Sequence, residues 1–374
     1  MTLRAIGWDD PRCIDPLRAA LDEWCGLHNL DYEIGTRPLT AFNDQPLEEL
    51  ARECDVMSID HPHVAAAVAA GVLAPLDRHV PAEELAAIRA DALGSNFDCY
   101  VVGATPYALH ADAACQLGAV RQSLLGGLGE TWPQSMADAI GLAQRHPGAV
   151  VWPLYHTDAV SSLLSLLAAD EAGPLVEGPF CRDRAKGVAA IEAMTELAGL
   201  MDPACWEFTP QKAFAFAAER PVAYLPFLFC YMRFASADTP HGPWTMGRSP
   251  AGRGSVLGGA GLAVSAASPI VAAASRFVAW YCLPGTLRRL VASGAQPGSV
   301  TAWSADDPDP VAAGFFGAVR PILQTAWVRP QATWWPQAQI AAGHALVEGL
   351  RARRPSATIL DSVEAAYAVA RSVL

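Results

Sequence analysis

Cys54-Asp55-Val56-Met57-Ser58-Ile59-Asp60-His61-Pro62-His63 is the stretch on which the fold turns. Val56–Ile59 is a short apolar run between two aspartates, with no alternation of polar and apolar positions. Such a run reads as a parallel strand buried on both faces. Working backwards, Leu47–Glu53 reads as a helix, Leu30–Ile34 as a strand, Asp15–Leu27 as an amphipathic helix ending near Gly26, and Leu3–Gly7 as a first strand. Working forwards, His63–Ala70 reads as a helix stopped by Gly71. This βαβαβ rhythm predicts an α/β fold with a parallel sheet and helices on both faces. Ligands of such sheets lie off the carboxyl ends of the strands. The segments that follow the strands are Trp8-Asp9-Asp10-Pro11-Arg12, Thr36-Arg37 and Asp60-His61-Pro62-His63, and they are the candidate ligand loops.

Beyond residue 100, Tyr100–Leu109 reads as a strand, a Gly103/Thr105/Pro106 break and more extended chain, which suits a crossover between lobes. A second α/β region is expected over 110–250. It contains a helix over Trp132–Arg145 with Thr131 as N-cap, a strand over Val150–Leu154, helices over Asp158–Ala169, Ala185–Leu200 and Gln211–Glu219, and a strand over Pro221–Leu225. Gly258-Gly259-Ala260-Gly261 opens onto a strand, and Ser268-Pro269 offers an N-cap and first helical position for a helix to Tyr281. The glycines precede a strand rather than a helix, the wrong order for a dinucleotide fingerprint, so a tight interdomain turn is expected there. From Trp335 onward the tail reads as mostly helical.

The chain has 374 residues, enough for about two domains of ordinary size. Its 26 Lys and Arg against 38 Asp and Glu give a net charge of −12. Nucleic-acid binding needs clustered cations, so this balance argues against nucleic acid and against an anionic membrane surface. No apolar run is long enough for a transmembrane helix, so direct membrane insertion is not expected. Met1–Ile6 runs straight into the first strand with no basic and apolar leader pattern, so the chain reads as cytoplasmic if Met1 is the native start, or as exported if a leader precedes it. The nine cysteines show no C-x-x-C pair and read as buried free thiols.

Asp60-His61-Pro62-His63 offers metal-ligand types, but Pro62 constrains the loop and no distant ligand set is evident, so donors to a ligand are the preferred reading. There is no G-x-S-x-G elbow and no flanked catalytic cysteine, so no catalytic residues, metal or cofactor are assigned and the chain is read as a non-enzyme. Tryptophans stand where the chain breaks, at Trp8, Trp152, Trp244, Trp303, Trp334 and Trp335. Their rings suit stacking on flat ligand faces, with core packing as the ordinary alternative.

Several segments, in order, resemble the family 1 extracellular solute-binding proteins of ABC importers, the group that includes maltose-binding protein. They are Leu3–Arg12, Cys54–His61 continuing to Gly71-Val72-Leu73-Ala74-Pro75-Leu76-Asp77, Gly103–Leu109, Gly258–Ser265 with Ser268-Pro269, and Gly294-Ala295-Gln296-Pro297. The resemblance covers nearly the whole chain. It implies a type II periplasmic-binding-protein fold, with two lobes, a hinge and an interlobe ligand cleft. It implies lobe 1 over 1–104 plus 258–303, lobe 2 over 108–255 plus 308–374, and crossovers near 104–108, 255–258 and 303–308. Ligand contacts carried over by position are Trp8, Asp9, Arg12, Arg37, Asp60, His61 and His63 in lobe 1, and His156, Asp158, Tyr224, Phe227 and Trp335 in lobe 2. Its implied role is capture of a small polar solute, a sugar or related carbohydrate first, for ABC-type import. A permease is the implied partner if the chain is exported, and a monomer is expected. The cationic loop residues Arg12, Arg37, His61 and His63 keep an organic acid or acidic sugar open. A cytoplasmic solute sensor or scaffold on the same fold is the alternative.

Overall fold

The computed structural model describes residues 2–169, 173, 178–236, 240–303 and 310–372. The chain divides into two compact units, unit 1 (Met1–Ala114, Gly258–Asp309 and Gln331–Thr333) and unit 2 (Cys115–Leu257, Pro310–Pro330 and Trp334–Leu374).

Unit 1 begins with β1 (Thr2–Trp8), α1 (Pro11–His28), β2 (Asp31–Arg37), α2 (Leu39–Asp44), α3 (Leu47–Glu53), β3 (Val56–Ile59), α4 (Val64–Ala69) and α5 (Ala82–Ala90). β1 pairs in parallel with β2 from Thr2↔Asp31 to Trp8↔Arg37, and with β3 at Ala5↔Val56 and Ile6↔Met57. All four residues of β3 are buried, as expected of a strand covered on both faces. α1 starts where Asp10, in extended conformation, accepts a hydrogen bond from the Arg12 amide, with Pro11 at the first helical position.

The Gly103 break is a small local turn. Gly103, at φ +66°, joins β4 (Val101–Val102) to β5 (Thr105–Pro106) as a two-stranded ribbon. The long strand β6 (Ala108–Val120) follows, and the chain leaves unit 1 inside it, after Ala114.

In unit 2, the second half of β6 is followed by α6 (Gln122–Gly127), α7 (Met136–Arg145), α8 (His156–Ala168), α9 (Arg184–Ala198), α10 (Pro210–Ala218), β7 (Tyr224–Phe229) and β8 (Thr245–Gly247). β7 and β8 both pair antiparallel with β6. Two expectations change here. α7 starts at Met136, because Ser135 and not Thr131 caps it: the Asp138 amide donates to Ser135 Oγ, and Ser135 Oγ donates back to Asp138. Val150–Leu154 is not a regular strand. Val150 makes an isolated bridge to Tyr224, and Pro153 has no amide with which to extend a ladder.

The chain re-enters unit 1 with β9 (Leu257–Val264), followed by α11 (Val271–Tyr281) and α12 (Pro284–Leu290). β9 pairs antiparallel with β3, from Val56↔Val264 to Ile59↔Gly261. The sheet order in unit 1 is β2-β1-β3-β9-β6. Gly258–Gly261 is therefore strand rather than an interdomain turn. Gly259 lies against the backbone of β6, where a Cβ would sit 2.4 Å from Asp112 O, and Gly261 lies against the Tyr100 ring. Ser268 does not cap α11, which begins three residues later. Its hydroxyl donates to buried Asp55 at 2.7 Å and accepts from the Ile270 amide. Unit 2 closes with α13 (Pro310–Leu323), α14 (Trp335–Arg351) and α15 (Ser356–Ser372), the helical tail read from the sequence. The crossover expected near 303–308 lies almost wholly outside the described residues. Among the described residues no helix is long and apolar enough to cross a membrane.

His110 in β6 is fully buried, edge-on to Phe97, and neither ring nitrogen has a hydrogen-bond partner among the described residues. Burial pushes its imidazole down to about 4, opposed only by Asp91. The unfolded chain takes up this proton near the ordinary histidine value of about 6.5. Between about pH 6.5 and 4 the unfolded state therefore binds the extra proton, and stability falls as pH falls. The whole step is worth roughly 3 kcal/mol, with no effect above neutrality. Urea unfolding across this range should show a shallower acid limb in His110→Leu than in the parent.

Candidate functional site

The register of unit 1 brings three strand ends together. Trp8 and Arg37 are partners at the ends of β1 and β2, and Asp60 follows directly on β3. Six of the seven expected residues here are buried: Trp8, Arg12, Arg37, Asp60, His61 and His63. Asp9 is exposed, its amide donating to Arg37 O at 2.8 Å. Trp8 sits on Phe42 with ring centroids 5.1 Å apart, and the Arg37 guanidinium lies over the same ring at 5.3 Å.

The two arginines have different environments. Arg12 forms a two-point pair with Asp112, Nε to Oδ1 at 2.7 Å and Nη2 to Oδ2 at 2.6 Å, and Nη2 also donates to Ala113 O. Burial works to push the Asp112 carboxyl up and the guanidinium works to pull it down. Two short bonds to one carboxylate are the geometry of an ionised pair. Arg37 instead donates to the carbonyls of Ser58 and Ala41, and burial lowers it to about 10, so it stays charged at neutral pH. Its Nε and the indole Nε1 of Trp8 are buried donors without an acceptor among the described residues.

His61 Nδ1 is 3.4 Å from Asp60, and His63 Nε2 is 2.8 Å from the carbonyl of Asn43. The two imidazoles are thus drawn to separate partners, and no group of three or more potential metal ligands occurs among the described residues. Trp8, Arg12, Ser58, Asp112, Tyr281 and Gln296 line a narrow recess with space for about one water molecule. The charged side chains that line it are those of the Arg12–Asp112 pair.

Cys13 also lines the recess, and burial holds its thiol well above the usual thiol range, the opposite of what a nucleophile needs. All nine cysteines are buried thiols, outside any disulfide.

In unit 2, His156 and Asp158 stand in the first turn of α8, both buried. The His156 ring packs against Tyr155 at 4.2 Å and against His344 of α14 at 4.0 Å. Gly343 makes that approach possible, since a Cβ there would lie 2.6 Å from His156 O. Tyr224, Phe227 and Trp335 are fully buried. Phe227 packs on Trp152, and Trp335 lies edge-on to Trp327 and Tyr367 while its indole donates to Gln339 at 3.1 Å. Of the remaining chain-break tryptophans, Trp152, Trp244 and Trp303 are also core, Trp244 beneath the Arg121 guanidinium at 4.4 Å, while Trp334 is half-buried.

Sequence reading placed Asp10 in a candidate loop without singling it out, and it missed Asp112, Gln296, Gln116 and His344. Asp112 and Gln116 had a signal, namely polar side chains inside the otherwise apolar run Ala108–Val120. Gln296 and His344 had none, because their neighbours come from distant parts of the chain.

Residues 47–314 match the family model described as bacterial extracellular solute-binding protein. No curated protein matches. Among solved structures, maltose-bound MalE3 of T. maritima is similar over 100% of both chains, at 17% identity and a TM-score of 0.82. The GacH receptor of Streptomyces glaucescens GLA.O, solved unliganded and with acarbose, is similar over 99% of this chain and 98% of its own, at 17% identity and a TM-score of 0.82. An ABC transporter solute-binding protein from Agrobacterium radiobacter K84, in complex with ribitol, is similar over 100% of this chain and 99% of its own, at 17% identity and a TM-score of 0.78. These likenesses establish the fold along the full chain, the α/β architecture of solute-binding proteins.

Proposed function

This chain belongs to the bacterial extracellular solute-binding protein family, and on that premise we propose that it captures an uncharged polyhydroxylated solute, a sugar or polyol, and delivers it to an ABC-type permease without chemical turnover. The observation that carries the solute class is the Arg12–Asp112 pair. The residue best suited to grip a carboxylate is already closed by one at two points. The orphan donors Trp8 Nε1 and Arg37 Nε would find acceptors in neutral hydroxyls. Trp8, Asp9, Arg12, Arg37, Asp60, His61 and His63 in unit 1, with His156 and Asp158 in unit 2, are the residues we assign to the ligand or its immediate support. Tyr224, Phe227 and Trp335, fully buried, are assigned to its support. Solved relatives of the same fold carry maltose, ribitol and D-mannitol.

A thermal-shift screen of maltose, ribitol, mannitol and citrate tests the reading. A bound neutral solute at about 100 times its Kd stabilises by about 2.7 kcal/mol, which for a chain of 374 residues raises Tm by about 3 °C. A shift with citrate and none with the neutral compounds would replace the sugar reading by an organic-acid one. No shift with any compound would end the proposal for these ligands.

A further inference from the structure

A buried polar network in unit 2 carries more hydrogen bonds than sealing the core requires. Gln116 lies in β6, 1% exposed, with apolar neighbours along the strand. Its Oε1 accepts from Ser165 Oγ at 2.7 Å, and its Nε2 donates to Ser162 Oγ at 3.2 Å and to the Asp158 carbonyl at 3.4 Å. Ser162 Oγ donates to the same carbonyl at 2.9 Å and accepts from the Trp152 indole at 3.2 Å. Residues 158, 162 and 165 share one face of α8, so the helix turns a polar stripe towards the strand. The backbone of Gln116 is also engaged. Its amide donates to Val256 O at 2.9 Å, its carbonyl accepts from Ser255 Oγ at 2.6 Å, and the Val256 amide donates to Ser165 Oγ at 3.2 Å. One residue thus ties together β6, the return segment Ser255–Val256, and the first turns of α8.

An apolar contact between α8 and β6 would seal this face without any buried polar group to satisfy. What the network adds is direction, because each bond sets an angle and a register that apolar contact leaves loose. We infer that Gln116 is a positioning residue for solute binding: it holds the turn His156–Asp158 in the orientation the ligand meets, while touching no ligand itself. The inference rests on the assignment of His156 and Asp158 to the ligand. Gln116 also stands two residues beyond Ala114, and Val256 two before Gly258, so the same residue fixes the unit 2 end of both chain passages.

The test compares the full-length parent with Gln116→Met, which keeps the volume and removes the side-chain bonds, and with Ser162→Ala, a milder cut of one arm. Amide hydrogen exchange is read without ligand, and maltose binding by titration calorimetry and stopped flow. The expected result is faster exchange confined to 158–165, unchanged far-UV circular dichroism, and maltose binding weakened about tenfold, mostly through faster release. Ser162→Ala should give the same pattern at smaller amplitude. Unchanged or uniformly faster exchange in both variants overturns the inference, and so does local loosening with unchanged maltose affinity. If the parent does not bind maltose, maltose alone is excluded as its solute, and the exchange pattern still decides whether Gln116 holds the turn.

Discussion

Asp112→Ala is expected to cost about 3–5 kcal/mol in unfolding free energy. The Arg12 and Asp112 side chains are only 5% and 8% exposed, and they meet at two points. Removing the carboxylate breaks both of these bonds to a guanidinium that cannot shed its proton. The penalty is the desolvated charge and not the lost attraction alone, so the double variant Arg12→Met/Asp112→Leu should recover much of the loss. Urea denaturation of the four proteins gives the cycle. A loss below about 1 kcal/mol in Asp112→Ala would mean that water reaches the pair, and the argument for a closed Arg12 would go with it. The same variant has a functional signature: with Arg12 released, the proposed preference for neutral solutes should move towards carboxylates.

Gly259→Ala is expected to cost a comparable amount, about 3–5 kcal/mol, from strain and overpacking together. Gly259 has a φ of +111°, a conformation that side chains with a Cβ rarely adopt. The new methyl carbon would also stand 2.4 Å from Asp112 O and 2.7 Å from Ala113 Cα. Those are backbone atoms in the strand that carries the Arg12 partner, so relief would displace the pair just described. Gly285→Ala is the control. It lies in α12 with open space around its Cβ, and a gain of up to about 1 kcal/mol is expected from helix propensity. Equal effects in the two variants would remove the steric account of the β9 glycines.

These two cases mark where sequence reading succeeded and where it stopped. Val56–Ile59 was legible as a buried strand because a fully covered strand needs apolar side chains on both faces, but the sheet expected to be parallel is mixed, since β3 is parallel to β1 and antiparallel to β9. The strand-end positions of Trp8, Arg37 and Asp60 followed from the same pattern, since chain direction alone decides which end of a parallel strand is its carboxyl end. The glycines of β9 were misread because glycine serves a turn and a close strand contact equally well. Only the partner strand distinguishes the two uses. The start of α7 was misplaced by four residues because Thr131 and Ser135 are both competent caps, and the choice fell to the one with Asp138 three residues on.

The partnerships of the site lay beyond the sequence for a related reason. Arg12 read as a cation available to an acid, and it became part of a closed pair through Asp112, a hundred residues away. Tyr224, Phe227 and Trp335 were assigned to the ligand by position, and their full burial became visible only in the folded chain. Periodicity, chain direction and composition thus determined the α/β class and the strand ends at which a ligand is sought, and the family pattern came from the resemblance of ordered segments. Tertiary structure alone decided which charges are already neutralised, which rings are covered and which glycines face a neighbouring backbone, because pairing and burial depend on atoms that approach only when distant segments pack together.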